Sequence, residues 1–406
     1  MNTSDLEPLP AHPSLEQYRK QAKEFVKACK SGDPGALRRI ESHHPRAARL
    51  LASGVPNVRV PLAEAQLVIA REHGFESWPK FAQHVEALTR ASSPISRFEV
   101  AADAIVAGDI ATLASLLSQD PELVRARSTR VHRATLLHYI GANGVENFRQ
   151  RSPPTAVAVA NALLDAGAAV DALADSYGKS TTLGLVATSV HPAGAGVQLA
   201  LLETLLAHGA AVDGVPGGRT PLIAALHNGR PEAAELLATR GARLDLEGAA
   251  GVGRLDLVKR FFAENGGLKP NATPAQMKAG FLWACSYGRG SVVEFLLRSG
   301  IDVGAHLHGE TGLHGAALGG HVEIVELLLG CQAPVDVEDD RFGGTPLGWA
   351  LYGWGNPAPE SRRARHHEVV ALLVAAGAAV EPQWLAGEKV RADPRMLAAL
   401  TDAPPR

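Results

Sequence analysis

Several things are scarce in this chain. Three cysteines, Cys29, Cys285 and Cys331, are spread over 406 residues. They are too few and too far apart for a disulfide framework or a paired-cysteine zinc site. A reducing compartment follows, and the expected location is cytoplasmic. Excess charge of one sign is also missing: 40 Lys+Arg stand against 42 Asp+Glu, a formal net charge of -2. That excludes the strongly basic surface that nucleic acid or an anionic membrane requires. Long apolar runs are missing as well. The segment AVAVANALLDAGAAV from Ala156 is interrupted by Asn161 and Asp165, so it is too short and too polar to span a bilayer. The first thirty residues carry Glu7, Glu16 and several lysines, and no secretory signal is expected.

Aromatic residues make up only 5% of a chain that is 46% hydrophobic and 20% charged. The apolar content is therefore mostly Ala, Leu and Val, which suits closely packed helices. Catalytic signatures are absent: there is no GxSxG, HExxH or Walker A sequence. Gly251-Val252-Gly253 lacks the third glycine and the preceding strand of a dinucleotide site. No cofactor and no resident metal are expected.

What the chain does have is a repeat. From Thr220, alanines follow at 224 and 225, glycines at 229 and 241, and an aspartate at 245. Thr311 opens a matching series with Ala316, Ala317, Gly320 and Asp336, and Thr345-Pro346-Leu347 opens another. Weaker copies are marked by Gly253 and by Gly288 with Gly300. Three copies are stretched. Thr135 to Gly167 and Thr345 to Gly377 each span 32 residues, and Thr181 to Gly209 spans 28, where Thr220 to Gly241 spans 21. The acidic residue after each glycine keeps its place (Asp171, Asp213, Glu381). These are insertions at one junction, around Glu146–Pro154, His191–Gly196 and Trp354–His367, each read as a loop. The last holds Pro357, Pro359 and the basic run Arg362-Arg363-Ala364-Arg365.

Thr before Pro-Leu predicts a helix N-cap with proline in the first turn. EAAELLATRG predicts an amphipathic outer helix closed by a left-handed glycine at 241. Where Gln332 replaces that glycine, the cap is expected to be weaker. The segments RTPLIAALHNGRPEAAELLATRGARLD from Arg219 and ETGLHGAALGGHVEIVELLLGCQAPVD from Glu310 resemble the ankyrin repeat family. The resemblance implies a β-turn finger and two antiparallel helices per copy. Before Arg97, helical text ending in AQLVIAREHGFESWP is similar to the leader found ahead of many bacterial ankyrin-repeat proteins, which implies a bacterial source. The expected fold is all-α, an ankyrin-repeat solenoid of about eight irregular copies preceded by a small helical domain. Residues 1–96 form the leader, 97–383 the repeats, and 384–406 a capping helix with a frayed tail.

Repeat geometry points to the concave face as the place for function. Candidate contacts there are Arg219, His227, Asn228, Trp283, Tyr287, Arg341, Trp349, Tyr352 and Trp354. Five of the ten Trp and Tyr residues fall in the sixth and eighth copies (Trp283, Tyr287, Trp349, Tyr352, Trp354), and such side chains are typical binding anchors. Fingers add Asp175, Tyr177, Lys179, Asp339 and Phe342, and helix ends add Thr188 and Ser189. The expected function is non-enzymatic recognition of a partner protein. The alternative is an enzyme or small-molecule binder with a pocket closed by the insertions. It would use His306, His308, His314 and Asp340 for acid–base chemistry or metal binding. His306 and His308 would share one face of an extended finger. A bland role in holding backbone suits His138 and His314 better.

Overall fold

The computed structural model describes residues 6–51, 60–216, 220–356 and 360–401, with side chains left out for 360–364. The candidate contact Arg219, the prolines Pro357 and Pro359, the last residues of the tail, and the side chains of Arg362 and Arg363 lie outside the described residues. The chain divides into two compact units, Met1–Leu237 and Ala238–Arg406.

The first unit begins with the leader helices Leu15–Lys30, Pro34–His43, Ala47–Leu51, Leu62–Glu72 and Trp78–Leu88. Gly32 turns the chain with φ 73°, and the Asp33 carboxylate caps the second helix by accepting from Ala36 N–H at 2.8 Å. Four helix pairs follow: Pro94–Ala107 with Ile110–Gln119, the short 3₁₀ helix Leu136–Gly141 with Ala156–Asp165, Thr182–Thr188 with Gln198–Ala207, and Pro221–His227 with Pro231–Thr239. The second unit holds four more: Leu246–Gly251 with Leu255–Val258, Pro274–Ser286 with Gly290–Arg298, Gly312–Gly319 with Val322–Gly330, and Pro346–Gly355 with Glu360–Ala375. Within each unit, inner helices pack on inner helices of the next copy, and outer on outer. Small residues allow this close approach. Ala249, Ala250, Ala284, Ala316, Ala317 and Ala350 are all buried between Leu and Val side chains.

The caps follow the sequence. Thr181 accepts from Gly184 N–H and Thr345 from Gly348 N–H, each at 3.3 Å. Thr135 and Thr311 form reciprocal caps with His138 and His314 three residues on. Gln332 takes the left-handed conformation, φ 64°, that its counterparts leave to glycine. A side chain there costs about 1 kcal/mol, yet the cap bonds are kept: Gln332 N–H donates to the Leu329 carbonyl at 2.9 Å and Ala333 N–H to the Leu328 carbonyl at 3.0 Å.

Successive copies are joined by a side-chain latch from the outer-helix segment, at its start or, for His366, in its second turn, to the end of the preceding inner helix. Arg230 Nε donates to the Ser189 carbonyl at 3.3 Å and Arg289 Nε to the Gly251 carbonyl at 3.2 Å. His321 Nε2 donates to the Ser286 carbonyl at 3.0 Å and His366 Nε2 to the Leu318 carbonyl at 2.9 Å. Thr155 Oγ1 does the same to the Gly108 carbonyl at 3.1 Å. The insertion preserves this register: His321 lies ten residues after Thr311, and His366 lies twenty-one after Thr345, so the excess of eleven falls wholly before the latch. Gly353 leaves the room it needs, since a Cβ there would lie 2.4 Å from the Leu318 carbonyl oxygen.

The insertions are not the loops expected. Residues from Glu360 onward extend the last outer helix, and Arg365 pairs with Glu323 at 2.6 Å. Val190–Gly194 is a short helix, because Ser189 caps it through His191 N–H. Asn147–Arg149 is a 3₁₀ turn whose last residue, Arg149, is buried. The segment after Glu381 forms three short helices, Pro382–Ala386, Glu388–Ala392 and Pro394–Thr401, instead of one. Gly387 and Asp393-Pro394 break it.

Candidate functional site

Each finger's tip must reverse the chain in a few residues, and this sets what it can display. In the first unit, Ala174 and Ser180 pair across the finger, and Tyr177, Gly178 and Lys179 between them all have positive φ (50°, 78°, 80°). This places Tyr177, 60% exposed, against the ends of the inner helices. Its hydroxyl donates to Asn143 Oδ1 at 2.8 Å, and Asn143 Nδ2 donates to Thr188 Oγ1 at 3.2 Å. Thr188 in turn donates to the Gly184 carbonyl at 3.1 Å. A cavity of about 340 Å³ opens beside this chain, lined by Tyr177, Lys179, Asn143, Thr188 and Asn228 among others. Among the described residues, Lys179 is the only charged one in its lining. No described residue of the three insertions contributes to that lining, contrary to the pocket expected for a small-molecule binder.

In the second unit, the finger before the last repeat is organised by one buried carboxylate. Asp339 Oδ1 accepts from the N–H groups of Arg341 and Phe342 at 2.9 and 2.7 Å. Its Oδ2 accepts from Gly344 N–H at 2.9 Å and Trp349 Nε1 at 3.0 Å. Burial pushes the Asp339 pKa up, but these donors outweigh it and hold the carboxyl below its ordinary value. The loop so fixed presents Phe342, 70% exposed, with the Arg341 guanidinium 4.9 Å from its ring centroid. Tyr352, 68% exposed, stands on the following inner helix.

The other sequence candidates separate into classes. His227 and Asn228 are exposed at the end of helix Pro221–His227, in the first unit. Trp283 is half-buried, its Nε1 donating to Glu247 Oε1 at 3.0 Å, and Tyr287 stacks on it at 6.1 Å. Trp349 is half-buried edge-on to His314 at 5.3 Å, and Trp354 packs partly against the core. Ser189 is buried and donates to the Ala142 carbonyl at 3.3 Å, so it is no groove residue.

The acid–base and metal candidates are not assembled. His308 sits at the left-handed turn position, φ 51°, between strands His306–Leu307 and Glu310–Thr311. The i, i+2 pairing with His306 on one extended face therefore fails. Asp340 reaches His308 only through its backbone N–H, which donates to the His308 carbonyl at 2.9 Å. Among the described residues no group of three or more His, Cys, Asp or Glu could hold a metal ion. His314 is fully buried. Its Nδ1 accepts from Thr311 N–H at 3.1 Å and its Nε2 donates to the Gly344 carbonyl at 3.1 Å. Burial lowers its pKa, and with both nitrogens engaged it has none left for proton transfer.

One cluster escaped sequence reasoning. Glu146 and Arg149, both from the first insertion, are buried with Glu99, Arg130 and His132. Arg130 lies 2.6 Å from Glu99 and 2.9 Å from Glu146. Arg149 lies 2.8 Å from Glu99, 3.3 Å from Glu146 and 2.8 Å from Asp103. Arg130 also covers the Phe75 ring of the leader at 5.4 Å, and Val131 N–H donates to the Gly74 carbonyl at 2.9 Å. The cluster ties leader, first finger and insertion together. Its two arginines and two buried glutamates balance, which leaves it structural.

A family model described as ankyrin repeats in three copies matches residues 246–332 and 281–383, and one described as ankyrin repeats in many copies matches 198–238. Among solved structures, the crystal structure of the human ASB11 ankyrin repeat domain matches at 22% identity. It covers 69% of this chain and 99% of that one, with a TM-score of 0.35. No curated protein matches. The chain carries ankyrin repeats, and its fold class is all-α. Among the described residues no helix is long and apolar enough to cross a membrane.

Proposed function

We propose that the chain is a non-enzymatic interaction module that recognises a partner protein through its finger tips and inner-helix ends. One observation carries the reading. Phe342 and Tyr352 stay 70% and 68% exposed, while the large apolar side chains around them pack into a continuous core. Displaying aromatics from a locked loop reduces the ordering cost of binding. Of the sequence candidates, Arg341 and Tyr352 form the centre of this surface in the second unit. Trp283, Tyr287, Trp349 and Trp354 support it, and His227 and Asn228 serve the corresponding face of the first unit. In this reading residues 1–96 act as a helical cap on the repeats of 97–383, in a reducing cytoplasm where the free thiols persist.

The test is capture on the immobilised full chain, followed by identification of the bound protein by mass spectrometry. The Phe342→Ser, Tyr352→Ala double variant should lose that protein while keeping the parent melting temperature. Undiminished capture by the double variant refutes the assignment of this surface.

A further inference from the structure

The cavity beside the finger of the first unit has an asymmetric chemistry. We propose that it is a subsite for an acidic side chain, Asp or Glu, on an extended segment of the partner protein. This rests on the interaction reading above and names the chemistry of one part of it.

Charge is the first argument. Lys179 is exposed, has no ion-pair partner among the described residues, and faces no carboxylate in the cavity lining. Donor supply is the second. Asn143 Nδ2 uses one N–H on Thr188, and Asn228 Nδ2 uses one on the Ala224 carbonyl at 2.8 Å. Each amide carries two N–H groups, so one remains on each. The Tyr177 hydroxyl spends its proton on Asn143 Oδ1, which fixes that amide with its nitrogen toward Thr188. An ammonium and two amide N–H groups around one cavity favour an acceptor that carries negative charge.

Preorganisation is the third argument. Lys179 holds φ 80° and Tyr177 φ 50°, a region side chains rarely occupy. Local bonds maintain it: Lys179 N–H donates to the Ser176 carbonyl at 3.0 Å, and Ser180 Oγ donates to the same oxygen at 2.9 Å. Strain of this kind is kept where it aims a side chain. The groove of the leader offers no such complementarity. Glu24 and Asp33 line it together with Arg38 and Arg39, and Arg39 is already paired with Glu72 at 2.6 Å.

A random peptide library displayed on phage is selected on the full chain. Enriched peptides are made with blocked termini, so that only side-chain carboxylates remain. The expected peptides share an Asp or Glu, and its change to Asn or Gln weakens binding about tenfold. Lys179→Met should weaken the acidic peptide equally, erase the difference between the acidic and amide versions, and leave the melting temperature unchanged. Lys179→Arg should retain most of the affinity. Peptides that are lost on Tyr352→Ala but indifferent to Lys179→Met overturn the subsite and leave the interaction reading standing. Failure to enrich any peptide counts against both. Lys179-dependent binding of free glutarate, with no acidic residue among the selected peptides, overturns the peptide source in favour of a small carboxylate.

Discussion

Replacing Glu146 by alanine removes one of two buried carboxylates that balance two buried guanidiniums. In the parent protein Glu146 is fully buried, 2.9 Å from Arg130, 3.3 Å from Arg149 and 3.6 Å from His132, and it accepts from the Tyr139 hydroxyl at 3.3 Å. The variant keeps Arg130 and Arg149 on Glu99 alone inside the fold, with Asp103 helping Arg149 from the surface. One positive charge is then uncompensated away from water, and a buried phenol loses its acceptor. Breaking a buried pair in this way costs about 3–5 kcal/mol. Urea unfolding followed by far-UV circular dichroism measures it. The exposed pair Arg298–Glu294 is the control, because Glu294→Ala should cost at most about 0.5 kcal/mol. The double change Glu146→Leu, Arg149→Met restores neutrality and should be less damaging than the sum of its single changes. The carboxylates also set an acid limit. Burial pushes the Glu99 pKa up, but Arg130 and Arg149 outweigh it and hold it down to about 2. Its contribution is present above the unfolded value near 4.5 and is lost as pH falls toward 2. A cost for Glu146→Ala below about 1 kcal/mol refutes the view that this cluster fastens the leader to the repeats.

Other predictions follow from the same geometry. Burial holds the His84 and His138 pKa values at about 4. The unfolded chain takes up those protons first, so stability should fall between pH 6.5 and 4, by about 3 kcal/mol for each histidine. Thermal melts across that window check it, and a flat profile contradicts it. Lys179→Gly should relieve the strained φ of 80° and stabilise the protein by about 1 kcal/mol, while weakening acidic peptides; a lower melting temperature argues against strain. Asp339→Ala removes four hydrogen bonds from one finger and should cost about 2–3 kcal/mol. Hydrogen exchange should show faster amides at Arg341, Phe342 and Gly344, and unchanged exchange there contradicts the proposed role of the carboxylate.

The repeat was legible because its determinants are local. Thr181, Thr311 and Thr345 announce their helices by capping chemistry that acts within three residues. The phase of Thr345 and Gly377 located an insertion that leaves the His366 latch in register. The content of that insertion was hidden, since helix Glu360–Ala375 depends on packing that proline punctuation does not report. Glu146 and Arg149 were hidden for another reason. They lie outside the repeat period, and their partners Glu99 and Arg130 come from segments with no sequence link to them. Aromatic scarcity pointed to the sixth and eighth copies, yet half-burial of Trp283, Trp349 and Trp354 leaves Tyr352 as the most exposed of those five. Tyr177, Lys179, Thr188 and Asn228 were named singly as finger and helix-end residues, but their convergence with Asn143 around one cavity is tertiary and leaves no mark in the repeat pattern.

Hydrogen–deuterium exchange of the chain with and without its captured partner tests the central claim most directly. Interaction through fingers and inner-helix ends predicts new protection at 174–180, 306–310 and 339–344, with the outer helices Gln198–Ala207 and Val322–Gly330 unchanged. Protection confined to those outer helices, or to the leader, contradicts it.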